Sequence, residues 1–317
     1  MKKVKLRFID LFAGIGGIRL GIEDFFGPCV FSSEWDKHSQ ITYNENFGEI
    51  PEGDITNIKE KEIPPFDILL AGFPCQPFSN AGLKKGFEDS RGTLFFDIAR
   101  IIKYHRPRVV FLENVKAFKN HDKGRTFGVI KRVLGEMGYT VYSKVLNAKD
   151  FGVPQNRERI YIIAFLDDVN FKFPSTLGVK TKLGDILEKK VNPKYTISDR
   201  LWGGHQRRKR EHREKGNGFG YSMFNKLSGY TSTMSARYYK DGSEILIEQK
   251  GRNPRKITPR EAARLQGFKE DFRIPVSDTQ AYKQFGNSVA VPVIKAIAKE
   301  IYTSISSFDK ELKNENR

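Results

Sequence analysis

The chain has two cysteines in 317 residues, and one of them, Cys75, stands between Pro74 and Gln76 directly after the apolar run Ile68-Leu69-Leu70-Ala71-Gly72-Phe73. A structural thiol would lie inside such a run, a metal ligand would have other Cys or His at short spacing, and a disulfide would need an oxidising compartment. Cys75 fits none of these, and no metal site is expected. Cys29, in Pro28-Cys29-Val30-Phe31, has the apolar setting of a small core residue. Acids stand at other run ends: Glu34 in Ser33-Glu34-Trp35, Asp54 in Gly53-Asp54-Ile55, and Glu113 after Val109-Val110-Phe111-Leu112. At a strand end Glu34 can accept both hydroxyls of a ribose and Asp54 can read an adenine amino group. The turn Phe12-Ala13-Gly14-Ile15-Gly16-Gly17 lacks Gly-Lys-Ser/Thr and departs from the dinucleotide glycine spacing. It therefore suits an adenosine site without a phosphate grip.

These residues need elements to place them. Apolar runs at 6–12, 29–33, 66–73, 108–112 and 160–166 predict strands covered on both faces. Between them, 92–104 sets Leu94, Phe95, Ile98, Ile101 and Ile102 on one helical face, and 126–137 repeats the pattern more weakly. Strands alternating with helices predict an α/β fold, a doubly wound, mostly parallel sheet. Cys75 then falls just beyond the carboxyl end of one strand and Glu113 just beyond the next, over the edge where such sheets hold their chemistry. After about residue 170 the pattern breaks into loops with Pro174, Pro193, Trp202-Gly203-Gly204 and a charge run, which predicts a second, smaller unit. Helical signals resume at 258–265, with Thr258 as cap, and at 288–299; 309–317 reads as a fraying polar tail. The expected division is 1–171 plus 273–317 for the catalytic and cofactor-binding domain and 172–272 for the small one.

A formal charge of +17 implies attraction to a polyanion. No apolar run approaches the roughly 18 residues that span a bilayer, and Met1-Lys2-Lys3-Val4 leads into a strand instead of a signal-peptide core. A cytoplasmic monomer without membrane contact is expected.

A thiol, a proton-donating carboxyl and an adenosine-bearing cofactor suggest one reaction. Carbon 5 of cytosine is a poor nucleophile. Thiolate attack at carbon 6 with protonation at N3 makes it enamine-like, able to take the methyl group of S-adenosylmethionine. A thiol of pKa ~8.5 is only a few per cent ionised at neutral pH, so local positive charge is needed, and Arg157 and Arg159 in Gln155-Asn156-Arg157-Glu158-Arg159 are candidates. At this point the chain resembles the DNA (cytosine-5)-methyltransferases of bacterial type II restriction-modification systems. The resemblance rests on Asp10-Leu11-Phe12-Ala13-Gly14-Ile15-Gly16-Gly17, Gly72-Phe73-Pro74-Cys75-Gln76-Pro77-Phe78-Ser79, Glu113-Asn114-Val115, the Arg157 motif, and Gln284-Phe285-Gly286-Asn287-Ser288-Val289, in that order. It implies a Rossmann-like methyltransferase fold, S-adenosylmethionine as cofactor and S-adenosylhomocysteine as product. It also implies Cys75 as nucleophile, Glu113 on N3 and the amino group of a flipped cytosine, and Arg159 on its O2 with Arg157 beside it. Phe12, Gly14, Gly17, Glu34, Trp35, Asp54, Ile55, Leu94 and Asn287 would line the cofactor pocket, and residues 76–94 would form a loop closing on DNA through Ser79.

The same resemblance makes the small domain the part that reads duplex DNA. Arg207, Arg208, Lys209 and Arg210 form a basic run suited to phosphates, and Thr233-Met234 stands where the family has Thr-Leu. Residues 216–221 and 235–242, with Arg237, look similar to Dcm-like members acting on CC-any-GG or CC-A/T-GG sites. A partner nuclease without stable complex is implied. Two rivals stay open: a tRNA cytosine methyltransferase, against which the long basic domain speaks, and a regulator without catalysis, against which the intact Pro-Cys-Gln and Glu-Asn-Val speak.

Overall fold

The computed structural model describes residues 6–74, 94–218 and 220–315. Its first unit comprises residues 1–146, 158–175 and 293–317, and its second 147–157 and 176–292. This division by packing runs along other boundaries than 172 and 272. Residues 147–157 and 273–292 pack with the second unit, the latter because helix α7, Asp278–Asn287, lies against helix α6, Pro259–Leu265.

In the first unit, strands β1 (Phe8–Leu11), β2 (Cys29–Ser33), β3 (Ile68–Gly72), β4 (Val109–Val115), β5 (Thr140–Asn147) and β6 (Glu158–Phe165) form one sheet in the order β2-β1-β3-β4-β6-β5. β1 pairs in parallel with β2 and β3, and β3 with β4, while β6 runs antiparallel to β4. The mostly parallel, doubly wound sheet expected from the sequence is therefore present, with its strand order reversing between β1 and β3. One edge then gathers the carboxyl ends of β1, β2, β3 and β4 and the amino end of β6, and ligand chemistry belongs at such a switch point.

The central strands are mostly buried and apolar apart from Asp10 on β1 and Glu113 and Asn114 on β4, and each buried Leu, Ile or Phe contributes about 1.5–3 kcal/mol by leaving water. Helices α3 (Leu94–His105) and α4 (Arg125–Glu136) cover this core with Phe95, Ile98, Ile101 and Ile102 and with Val129, Ile130, Val133 and Leu134. The short helix α1, Gly17–Ile22, packs Gly21 against Ile294 of the long helix α8, Val291–Glu315, so closely that a Cβ there would meet Ile294 at 2.6 Å.

The elements missed by the sequence pattern share a cause. Helix α2, Lys37–Phe47, buries Ser39, Thr42 and Tyr43 rather than an apolar stripe, and β5 is a half-exposed edge strand. Residues 199–214, expected as loop, form helix α5 (Asp199–Glu214), capped by Ser198 accepting the Leu201 N–H at 3.3 Å. Its two glycines and near absence of apolar periodicity hid it. The expected fraying tail is helical to Glu315, and on it Asp309 accepts from Arg108 at 2.7 Å. Thr258 does cap α6, in a reciprocal box with Glu261. The second unit adds a three-stranded sheet of β7 (Met223–Phe224), β8 (Leu246–Ile247) and β9 (Arg255–Lys256). Among the described residues, no helix is long and apolar enough to cross a membrane, and no cluster of His, Cys, Asp and Glu could hold a metal.

Candidate active site

The turn after β1 turns back sharply. Phe12, Gly14 and Gly16 all have positive φ, at +54°, +56° and +80°. Such a backbone is strained for Phe12 and easy for glycine. The turn aims its amide groups at the end of β2: Ala13 N–H donates to the Ser33 carbonyl at 2.9 Å, and Gly14 N–H to Glu34 Oε2 at 2.8 Å. Glu34 Oε1 accepts from Asp36 N–H at 2.8 Å. The carboxylate is thus buried and oriented by backbone, yet each oxygen keeps a second lone pair for a ligand. Burial raises its pKa, and the amide bonds oppose that rise. Beyond Gly14 a Cβ would meet nothing within 4 Å, so the turn leaves open space.

Segment 52–54 lies beside the same strand end. Glu34 N–H donates to the Glu52 carbonyl at 2.8 Å, and Ser33 Oγ to the Gly53 carbonyl at 2.9 Å. That brings exposed Asp54, which caps the turn Ile55–Asn57, near Glu34, with Ile55 buried beneath. Trp35 is 77% exposed, an aromatic face left in water at the same strand end. Gly17 opens α1 and is buried, and half-buried Leu94 opens α3.

On β4, Glu113 sits inside the strand rather than beyond it, paired with Gly72 on β3 and Tyr161 on β6. The antiparallel register sets Arg159 across from Val115, two residues further along the same face, and its Nε lies 3.2 Å from Glu113 Oε1. Both side chains are nearly buried, which makes this a directed carboxyl–guanidinium pair at the functional edge. Asn114 donates from Nδ2 to the Phe73 carbonyl at 3.0 Å, locking the end of β4 to the end of β3. Gly72 lies beside Glu113, where a Cβ would be in ordinary contact with Oε2 at 3.6 Å. Cys75, two residues after Phe73, lies outside the described residues, as do Ser79 and residues 76–93 of the expected closing loop.

Arg157 has its described partners elsewhere. It belongs to the second unit, where its guanidinium donates to the carbonyls of Met234 at 3.1 Å, Gly286 at 3.0 Å and Ser288 at 2.5 Å. These bonds make it a brace among segments of the second unit. Gln155, fully buried, extends the brace by donating to the Leu265 carbonyl and accepting from Met234 N–H. Asn287 is exposed at the end of α7, also in the second unit. Thr233 donates its hydroxyl to the Asn156 carbonyl at 2.5 Å, and Met234 is buried. Arg207, Arg208, Lys209, Arg210 and Arg237 are all exposed; Arg208 and Lys209 also reach Asp241 and Tyr221, and Arg207 lies 3.7 Å from Glu211.

Asp10, quoted in the first motif but given no role, is buried on β1 with Oδ2 meeting no hydrogen-bond partner among the described residues. Burial holds its pKa well above the ordinary range, against the pull of Arg19. Only a charged residue in an otherwise apolar strand signalled it.

Comparison with known proteins accords with this geometry. The family described as C-5 cytosine-specific DNA methylase matches residues 6–303. The chain is 64% identical over 309 residues to the type II methyltransferase M.SsoII of Shigella sonnei, covering 96% of this chain and 82% of that protein. It is 63% identical to the type II methyltransferase M.NlaX of Neisseria lactamica, covering 95% and 97%. Among solved structures, the Entamoeba histolytica methyltransferase EhMeth superposes with a TM-score of 0.78 at 21% identity, over 96% of this chain and 99% of that one, a likeness of fold.

Proposed function

Because the chain belongs to the C-5 cytosine-specific DNA methylase family, we propose that it flips a target cytosine from duplex DNA and methylates its carbon 5 from S-adenosylmethionine. The observation that carries the reading is the Glu113–Arg159 pair, set at the sheet edge where β1 and β2 also bring Gly14 and Glu34 together.

Each residue has a step in this reading. Cys75 Sγ, as thiolate, attacks carbon 6 of the cytosine, and after carbon 5 has taken the methyl group, loss of the carbon-5 proton expels the thiolate and restores the ring. Glu113 donates a proton to N3 and accepts from the exocyclic amino group, and Arg159 steadies Glu113 while reaching O2. Glu34 takes the ribose hydroxyls of the cofactor, Asp54 its adenine amino group, and Phe12 and Trp35 its ring faces. The open, amide-lined turn at Gly14 and the lack of a phosphate loop suit a nucleoside carrying a sulfonium in place of a pyrophosphate. Bound there, S-adenosylmethionine supplies an electrophilic methyl group. Asn114, through its bond to the Phe73 carbonyl, holds the strand end from which Cys75 departs.

The second unit reads the target through 216–221 and 235–242, at a site of the CC-any-GG or CC-A/T-GG kind, with phosphates held by the basic helix. Within a bacterial cytoplasm the modification would protect DNA from a paired restriction endonuclease, a role supported by relatives named type II methyltransferases. Bisulfite sequencing of plasmid from cells expressing the protein tests the whole reading. Converted-resistant cytosines at one short motif are expected, and none with Cys75→Ser; an unmethylated plasmid, or full methylation by Cys75→Ser, would overturn it.

A further inference from the structure

Helix α5 carries its charges on two faces with different surroundings. On one face, at helical spacing, lie Trp202, His205, Arg208 and Lys209. Trp202 meets the Tyr221 ring edge-on at 4.8 Å, and Lys209 Nζ lies 4.2 Å from the centroid of that ring and 3.3 Å from its carbonyl. The contact is close at Gly220 as well, where a Cβ would lie 2.9 Å from Lys209 Cγ. His205, buried, donates from Nε2 to the Asp241 carbonyl at 3.2 Å, and Arg208 Nη2 donates both to His205 Nδ1 at 3.0 Å and to Asp241 Oδ2 at 3.2 Å. A carbonyl can only accept and a guanidinium only donate, so the imidazole is the neutral Nε2–H tautomer. Burial, which pushes its pKa down, agrees. Tyr221 and Asp241 belong to the two segments assigned to reading. The other face presents Arg200, Arg207 and Arg210, which are exposed as Arg208 and Lys209 are but have no partner among the described residues besides Glu211, 3.7 Å from Arg207.

Resting on the reading of the second unit as the DNA-reading part, we infer that His205, Arg208 and Lys209 are positioning residues that set the two reading segments, while Arg200, Arg207 and Arg210 hold DNA phosphates. The basic run is therefore two devices interleaved at helical spacing. Arg200, seven residues before the start of the run's outer face at Arg207, is part of the phosphate grip; Arg208 and Lys209 are not.

Two measurements on the full-length protein separate these roles: the salt dependence of duplex binding, and the distribution of methylated sites on a plasmid library with randomised target positions. Arg207→Gln and Arg200→Gln should each lower the log–log salt slope by about 0.9 and leave the distribution of sites unchanged. Arg208→Gln should leave the slope unchanged and raise methylation of single-mismatch sites at least about fivefold relative to the preferred one, the lower end of what one base contact discriminates. Arg208→Lys, which keeps the charge near Asp241, should recover part of that discrimination. A lower slope with unchanged site choice in Arg208→Gln would overturn the inference, as would an unchanged slope in Arg207→Gln and Arg200→Gln together. Absence of 5-methylcytosine with the wild-type protein would instead overturn the underlying reading, while the slopes would still report the phosphate face.

Discussion

Arg157 and Arg159 come from one five-residue motif and end in different units with unlike partners. Arg159 enters β6 and meets a carboxylate at the open sheet edge; Arg157 precedes the strand and is spent on three carbonyls from segments about 80 and 130 residues away in sequence. A guanidinium offers five N–H donors in a rigid fork, so it can either orient one reacting carboxyl or tie several chain segments together. The residue type does not decide which. What it faces decides, and a shift of two positions across the start of a strand changes that completely.

The comparison is tested most severely at the edge. Glu113→Gln keeps shape and burial but removes the transferable proton, so single-turnover methyl transfer should fall by about 10²–10⁴ with little change in thermal midpoint. A fall below threefold would leave the Glu113–Arg159 pair without a chemical role. The opposite pattern is expected for Arg157→Leu. It leaves the Met234, Gly286 and Ser288 carbonyls short of a donor, at about 1–3 kcal/mol per unsatisfied buried group, so urea denaturation should show a loss of about 3 kcal/mol or more. Wild-type stability in that variant would break the distinction between the two arginines.

Glu34 lies between these extremes, since it is held by backbone amides yet keeps acceptors for a ligand. Removing it in Glu34→Ala should weaken S-adenosylmethionine binding by about 1.5–3 kcal/mol in calorimetry, with duplex DNA affinity unchanged. The pH dependence has a definite sign. Only the ionised carboxylate accepts from both ribose hydroxyls, and burial raises the folded pKa. Affinity should therefore decline on acidification beginning above the ordinary glutamate midpoint of about 4.3, and Glu34→Gln should flatten that decline. A profile identical in the wild type and Glu34→Gln would place the titrating group elsewhere.

The sheet and its edge were legible in the sequence because the central strands are largely apolar runs and Glu34 stands just past the end of one. Glu113 was legible by type though not by place, since the strand continues through Asn114 and Val115 under the antiparallel cover of β6. The second unit hid more. Helix α5 has glycine at 203 and 204 and buries only His205, so neither propensity nor periodicity marked it. The separate duties of Arg207 and Arg208 depend on helical phase, which a run read as loop does not possess. Tyr238, set within a segment proposed to read DNA, proves to be core: its hydroxyl donates to the Ile245 carbonyl and accepts from Ile257 N–H. Polar partners drawn from distant segments leave no periodic trace.

A third arginine completes the series at its weak end. Arg108 donates to Asp167 at 2.8 Å and to Asp309 at 2.7 Å, but these side chains are a quarter to a third exposed. Solvent screens the pairs, and Asp309 also stands toward the carboxyl-terminal half of α8, where an acid gains nothing from the helix dipole. Exposed ion pairs contribute about 0–1 kcal/mol, so Asp309→Asn should lower stability to urea by no more than that, with activity unchanged. The coupling is read from a double-mutant cycle with Arg108→Gln, in which a positive interaction energy should shrink between low salt and 1 M salt as the Debye length falls to about 3 Å. Zero coupling at low salt would mean that apolar packing of α8, through Ile297, Ile301 and Ile305, orders the last turns without help from the pair. Coupling that survived 1 M salt would place the pair with the buried arginines.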